Sequence, residues 1–211
     1  MILAGDMNIM LTERTIRQLH TKSDLIDCVQ LLRKSFGTVA REFGPTEATA
    51  PTNPAFATES KLNEYLSKPV MLYGMFYGSA IVGAVAVEQS KSDKQVYIER
   101  LAVSPESRHK GFGDYLLCYA FERIRESGGK TASIALMDNN DKLKKWYIAK
   151  GFVQTGRKAI EHLPFEVCFM SKDLFARSWR HDPKSSQTTS QAREGTKTQR
   201  NRCNSLKGRL D

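Results

Sequence analysis

The chain has 211 residues, 32 Lys and Arg against 23 Asp and Glu, a formal charge of +9, and 40% apolar side chains. Such a length accommodates one domain with a sizeable core plus an appendage, and the composition excludes collagen-like, coiled-coil and disulfide-rich classes. The charge is uneven: +6 of it falls in residues 177–211, which leaves +3 for everything before.

In chain order, residues 1–14 form an extension containing Asp6 and no basic run, unlike a secretion signal. Residues 15–20 (TIRQLH) alternate as a short strand. Ser23 can cap a helix to about residue 36, on which Leu25, Ile26, Val29, Leu32 and Phe36 form an apolar stripe. Residues 44–57, rich in Pro, Thr and Ala, read as a loop, and 59–66 as a second short helix. Residues 70–87 run 18 residues without a charge, near the lower limit for a membrane span. Their central Gly78-Ser79, flanked by β-branched and aromatic residues, instead predicts a hairpin.

A polar turn at 91–94 precedes a strong strand at 96–103 (VYIERLAV). The turn SPESRHKGFG then enters a helix over 112–126, where Tyr115, Leu116, Tyr119, Ala120 and Ile124 repeat at helical spacing. Gly128-Gly129 stops it. A strand at 131–137, an N-cap region at 138–141, a helix at 143–150 closed by Gly151, and strands at 152–162 and 165–170 complete the pattern. The order β-α-α-β-β-β-α-β-α-β-β predicts an α/β domain of the α+β type over residues 15–176. Its core is a mixed, mostly antiparallel sheet of about seven strands with helices on both faces. Periodicity stops after Lys172, so residues 177–211 read as a basic, disordered tail.

Cys28, Cys118, Cys168 and Cys203 are scattered, with no CxxC and no His at metal spacing. Neither a zinc site nor a disulfide framework is written here, so no metal is expected. With no targeting or membrane segment in view, the expectation is a cytoplasmic protein with no membrane partner, monomeric or homodimeric.

The motif that carries chemistry is Arg108-His109-Lys110-Gly111-Phe112-Gly113, set between a strand and a helix. Glycines there let the backbone approach a ligand, and the first helical N–H groups face it with the positive end of the helix dipole behind them. That arrangement suits a pyrophosphate. Alone, the match is weak, and a solvated basic turn at a helix entry explains it equally well. Together, however, Val103, Pro105, Arg108, Gly111 and Gly113, followed by Asn140, Tyr147, Gly151 and Phe152, resemble the GNAT superfamily of acyl-CoA-dependent N-acyltransferases. The resemblance covers residues 15–172 and is most specific from 96 to 152.

The resemblance implies acetyl-CoA as acyl-donor cosubstrate. It implies that backbone amides of Arg108, His109, Lys110, Gly111, Phe112, Gly113 and Asp114 hold the pyrophosphate. It also implies that Leu101, Ala102 and Val103, on a strand splayed from its neighbour, pair with the pantetheine arm, and that Asn140 bonds the pantetheine or phosphate region. As a residue in its own right, Asn140 reads equally well as a helix cap.

An amine acceptor, protonated near neutral pH if its pKa is about 10.4, needs a base, and a departing thiolate gains from a proton donor. On a regular strand Tyr97, Glu99, Leu101 and Val103 share one side and Arg100 takes the other, which puts Glu99 beside the cofactor contacts. Glu99 is the expected base, against a rim carboxylate paired with a basic neighbour. Tyr147, four residues before Gly151, matches the family's thiolate-protonating tyrosine, against simple packing within Trp146-Tyr147-Ile148. Lys142, Lys144, Lys145 and Lys150 form either a cationic rim for phosphates or a solvated face.

The loop 37–57, the second helix and the turn at 162–164 are expected to line the acceptor site. No acidic cluster marks a polyamine or aminoglycoside pocket, because Glu42, Glu47, Glu59 and Glu64 are spread out. The function expected is transfer of an acetyl group to a primary amine by direct attack, since Cys118 has no partner base in view. Competing readings are a non-catalytic CoA-binding module and a nucleic-acid-associated protein acting through the tail. The tail has one aromatic residue, Trp179, and no recognition motif, so nucleic acid is not the expected partner.

Overall fold

A computed structural model of the chain describes residues 14–90 and 95–175. The expected N-terminal extension, apart from Arg14, and the basic tail lie outside these residues. Among the described residues seven strands occur: β1 (Arg14–Gln18), β2 (Val70–Tyr77), β3 (Ala80–Gln89), β4 (Val96–Val103), β5 (Thr131–Met137), β6 (Val153–Ala159) and β7 (Glu166–Asp173). The four α-helices are α1 (Lys22–Phe43), α2 (Glu59–Leu66), α3 (Phe112–Glu126) and α4 (Asp141–Ala149). The strands form one sheet in the order β1-β2-β3-β4-β5-β7-β6, antiparallel throughout except between β4 and β5.

β3 explains the uncharged run. Val85 and Val87 face a core built with Leu116, Leu117 and Ile124 of α3, while Ala84 and Ala86 face a second core with Leu31 and Leu32 of α1 and Leu62 of α2. A strand buried on both faces has no polar side to show. The hairpin expectation holds, and among the described residues no helix is long and apolar enough to cross a membrane.

Two features of α1 differ from expectation. Its cap is Thr21, not Ser23: the Thr21 hydroxyl accepts the Asp24 amide at 3.1 Å, and the Asp24 carboxylate accepts the Thr21 amide at 3.2 Å. Arg17 then grips the same carboxylate with two bonds of 2.9 and 2.6 Å, tying β1 to the helix start and holding the Asp24 carboxyl well below its usual range. The helix also runs through Gly37 to Phe43 before Gly44, at φ +81°, ends it. A mid-helix Gly costs about 1 kcal/mol, which tertiary anchoring of this turn outweighs. Cys28 and Cys168 are buried free thiols.

Candidate functional site: a bulged strand beside an uncapped helix

β4 carries an irregularity. Ala84 of β3 pairs with Ala102, but Ala86 pairs with Glu99, so β4 spends one extra residue over this stretch. Arg100 absorbs it with φ +52°, a left-handed conformation with no glycine to make it easy. The bulge reverses the side-chain phase. Val96 and Ile98 before it, and Leu101 and Val103 after it, all pack on the α3 side, while Ala102 belongs to the α1/α2 core. Glu99 therefore leaves on the α1/α2 face, opposite Leu101 and Val103, and the expectation that these three share a side is corrected. Glu99 is largely buried, and its carboxyl is pushed up to about 7 by desolvation first and by Glu88 second, with Arg100 and Lys68 opposing.

Already before the bulge, β4 leaves its parallel neighbour. The β4–β5 ladder consists of Val96 with Ala132 and Tyr97 with Ser133, and past that point the two strands diverge. The splay expected from the resemblance is thus present. Its far end is partly occupied from within the chain, because the Val103 carbonyl accepts the Ser35 hydroxyl at 3.1 Å and Arg108 Nε at 3.4 Å.

Arg108 is where expectation and geometry differ in kind. Its guanidinium faces α1, donating to the Ser35 carbonyl at 2.9 Å and the Thr38 hydroxyl at 3.0 Å, while its amide donates to the Pro105 carbonyl at 3.4 Å. The side chain is a brace between α1 and the end of β4. Arg108→Met should lower the melting temperature by about 4–8 °C, since charge-assisted bonds of this kind contribute roughly 2 kcal/mol. Thermal unfolding monitored by circular dichroism checks this.

The rest of the turn is open. His109 (φ +60°) and Gly111 (φ +81°) reverse the chain, and His109 and Lys110 are exposed. Gly111 caps α3 without a side-chain bond, and the first helical bond runs from the Tyr115 amide to the Gly111 carbonyl, so the Phe112 and Gly113 amides precede it. Gly113 lies between Val103 and Trp146; a Cβ there would sit 3.5 Å from the Trp146 ring. The Asp114 carboxylate, which would repel an anion, is held by Lys150 at 2.8 Å. Uncapped amides, a neutralised acid and a missing side chain fit a pyrophosphate.

α4 brings the second expected catalytic group. Asn140 is its cap, accepting the Leu143 amide at 3.1 Å. Tyr147 is 6% exposed and packs edge-on against Trp146 and Phe152 on the α3 side. Burial first, and the charge of Glu99 second, push its hydroxyl well above the ordinary tyrosine value. Glu99 and Tyr147 thus come from opposite faces of the sheet and sense each other electrostatically. The expected cationic rim is reduced, because Lys144 is held by Asp138 at 2.8 Å and Lys150 by Asp114.

The loop 37–57 and the second helix, expected to line the acceptor site, line one cavity together; what sequence reasoning missed is its Arg100 wall. A cavity of about 290 Å³ lies between the α1–α2 connection, α2 and β4, lined in part by Lys61, Glu64, Tyr65, Lys68 and Arg100. The Arg100 guanidinium stacks 3.9 Å from the centre of the Tyr65 ring. No sequence signal announces an Arg at positive φ, and Tyr65 reads as an ordinary buried helix position. The turn at 162–164, expected here, does not line this cavity. Among the described residues no cluster of metal-ligating side chains occurs.

Several solved structures share this fold. The PaiA N-acetyltransferase of Thermoplasma acidophilum, solved with coenzyme A, superposes with a TM-score of 0.62 at 19% identity, over 76% of this chain and 99% of that one. The ribosomal-protein-S18-alanine N-acetyltransferase of Escherichia coli gives 0.60 at 12% identity, over 77% and 94%. An aminoglycoside 6'-N-acetyltransferase complexed with coenzyme A gives 0.58 at 15%, over 77% and 98%. At such identities these likenesses speak to the fold. The sequence profile of the acetyltransferase (GNAT) domain matches residues 39–169, which takes in the bulged strand, the uncapped helix and Tyr147. The chain belongs to the GNAT acetyltransferase family.

Proposed function

We propose that the protein is an acetyl-CoA-dependent N-acetyltransferase acting on a primary amine by direct attack within a ternary complex. The observation that carries this reading is the part-buried Glu99, raised to about 7, close enough that its charge acts on the buried, proton-bearing hydroxyl of Tyr147, beside the short β4–β5 ladder. Both adjoin the strand that leads to the uncapped start of α3. The cosubstrate supplies a thioester carbonyl. Glu99 takes the proton that an ammonium must lose before its nitrogen can attack. Tyr147, whose hydroxyl stays protonated at any working pH, donates a hydrogen bond to the departing sulfur. Across the cycle an N–C bond forms, the C–S bond breaks, the thiol takes up one proton, and the ammonium's extra proton leaves through Glu99 to water.

The amides of residues 109–113, with the uncapped helix behind them, are assigned to the pyrophosphate, and Leu101 and Ala102 to the pantetheine arm. Arg108 serves as a brace. The cytoplasm is the compartment that fits such a cosubstrate.

The test is a screen of amines, including amino acids, polyamines, aminoglycosides and peptides, that follows CoA thiol release. Release above background with at least one acceptor is expected. Tyr147→Phe should then lower kcat by about 10–100-fold and leave CoA affinity within about 2-fold, because only the hydrogen bond at sulfur is lost. Background release with every amine, from a protein that binds CoA, would instead identify a non-catalytic CoA-binding module.

A further inference from the structure

The cavity beside Arg100 is electrically two-sided. Its lining carries Lys61, Lys68 and Arg100 against one carboxylate, Glu64. Lys61 is already engaged by Glu47 at 2.7 Å, which leaves Lys68 and Arg100 as the cations facing the space. Arg100 Nε is buried without a hydrogen-bond partner, whereas the hydroxyl of Tyr65, a residue only 8% exposed, is directed to the carboxylates of Glu88 and Glu99. No ion pair to the Arg100 guanidinium occurs among the described residues.

A guanidinium that lines a cavity beside an exposed ammonium, with no ion pair of its own, is matched by acceptor oxygens from a ligand. Behind that wall the sign changes. Glu99 and Glu88 both act on the Tyr65 hydroxyl, so the edge of the cavity toward β3 and β4 is acidic. The bulge sets the two signs side by side, because Glu99 and Arg100 are consecutive residues whose spacing is fixed by one strained backbone unit.

Resting on the acetyltransferase reading above, we infer that the acceptor is an amine that also bears a carboxylate a few bonds away. Its nitrogen lies toward Glu99, and its carboxylate is held by Arg100 and Lys68. The guanidinium fork and an ammonium both match a carboxylate. A polycation would bring its second ammonium against Arg100 and Lys68, so polyamines and aminoglycosides are disfavoured.

The test compares each L-amino acid with its own C-terminal amide by CoA thiol release, and adds amidated peptides beginning with Asp or Glu. At least one carboxylate-bearing acceptor should exceed its uncharged counterpart in kcat/KM by roughly 30-fold or more. Arg100→Gln, and separately the exposed Lys68→Gln, should narrow that ratio mainly through KM. Preference for the Asp- or Glu-initiated peptides would uphold the inference and place the carboxylate on a peptide side chain. Amides turned over as well as acids would overturn it, as would a ratio untouched in either variant at unchanged melting temperature.

Should no amine be acetylated, the acetyltransferase reading fails by itself and the anion site is read by calorimetry. Binding of N-acetylglycine but not N-acetylglycinamide, lost in Arg100→Gln, would uphold the site. Equal or absent binding of the two would overturn it.

Discussion

Glu99→Gln is expected to lower kcat/KM by about 10²-fold or more at pH 8 while making the fold more stable at that pH. The first effect follows from the base: a positioned proton acceptor contributes about 10²–10⁴-fold, and an amide cannot serve. With its carboxyl pushed up to about 7, the parent enzyme should gain activity as pH rises through neutrality. The variant should lose that limb, and the two should converge toward pH 5, where Glu99 is protonated. The second effect runs through linkage. Because the folded value lies above the ordinary one, the carboxyl contributes most to stability when it is protonated, and that contribution is lost as pH rises through about 7. At pH 8 the parent carries a costly partly buried charge that Gln removes, a gain of about 2–3 kcal/mol. A pH–rate profile together with melting curves at pH 5 and pH 8 checks both. An unchanged profile would remove Glu99 as the base.

Gly113→Val should weaken CoA binding by about 30-fold or more with little change in melting temperature. At position 113 the backbone is ordinary and a Cβ meets Trp146 at 3.5 Å and Val103 at 3.9 Å, contacts that the fold accommodates. What a valine there obstructs is the space in front of the first helical amides, where a pyrophosphate must approach the backbone closely. Gly111→Val should cost both properties, since φ +81° is unfavourable for a β-branched residue by roughly 1–3 kcal/mol. The pair separates ligand obstruction from backbone strain. CoA affinity measured by calorimetry is the readout, and parental affinity in Gly113→Val would dismiss the turn as the phosphate site.

Much of the architecture is legible in the sequence. Apolar stripes at helical spacing announce α1 and α3, and the glycine-punctuated turn after a strong strand announces the start of α3. What was hidden is telling. The extension of α1 through Gly37 depends on Arg108, far along the chain, gripping Ser35 and Thr38. Period-two reasoning placed Glu99 with Leu101, and a single extra residue in β4 reversed it. Bulges leave little trace in sequence, because they are decided by what the neighbouring strand presents. The Arg100 wall of the cavity was hidden for the same reason: Arg100 reaches the Tyr65 ring only because the bulge turns it there. Roles assigned by chain spacing, such as the open turn at Gly111, were easier to read than roles that depend on which face a side chain leaves.

The short ladder between β4 and β5 has a mechanical consequence. A sheet interrupted beyond two residue pairs behaves as two leaves on a spine, one holding β1 to β4 and the other β5, β7 and β6. α3, which packs on β3, β4 and β5, is the clasp across them. The α3-side core runs unbroken across both leaves, from Val85 and Ile98 to Ile134 and Met170, and so fixes the leaf carrying Glu99 against the leaf whose following helix carries Tyr147. The gap between β4 and β5 is therefore built into the fold rather than opened by an occupant, and with it the separation of the two groups that must act together.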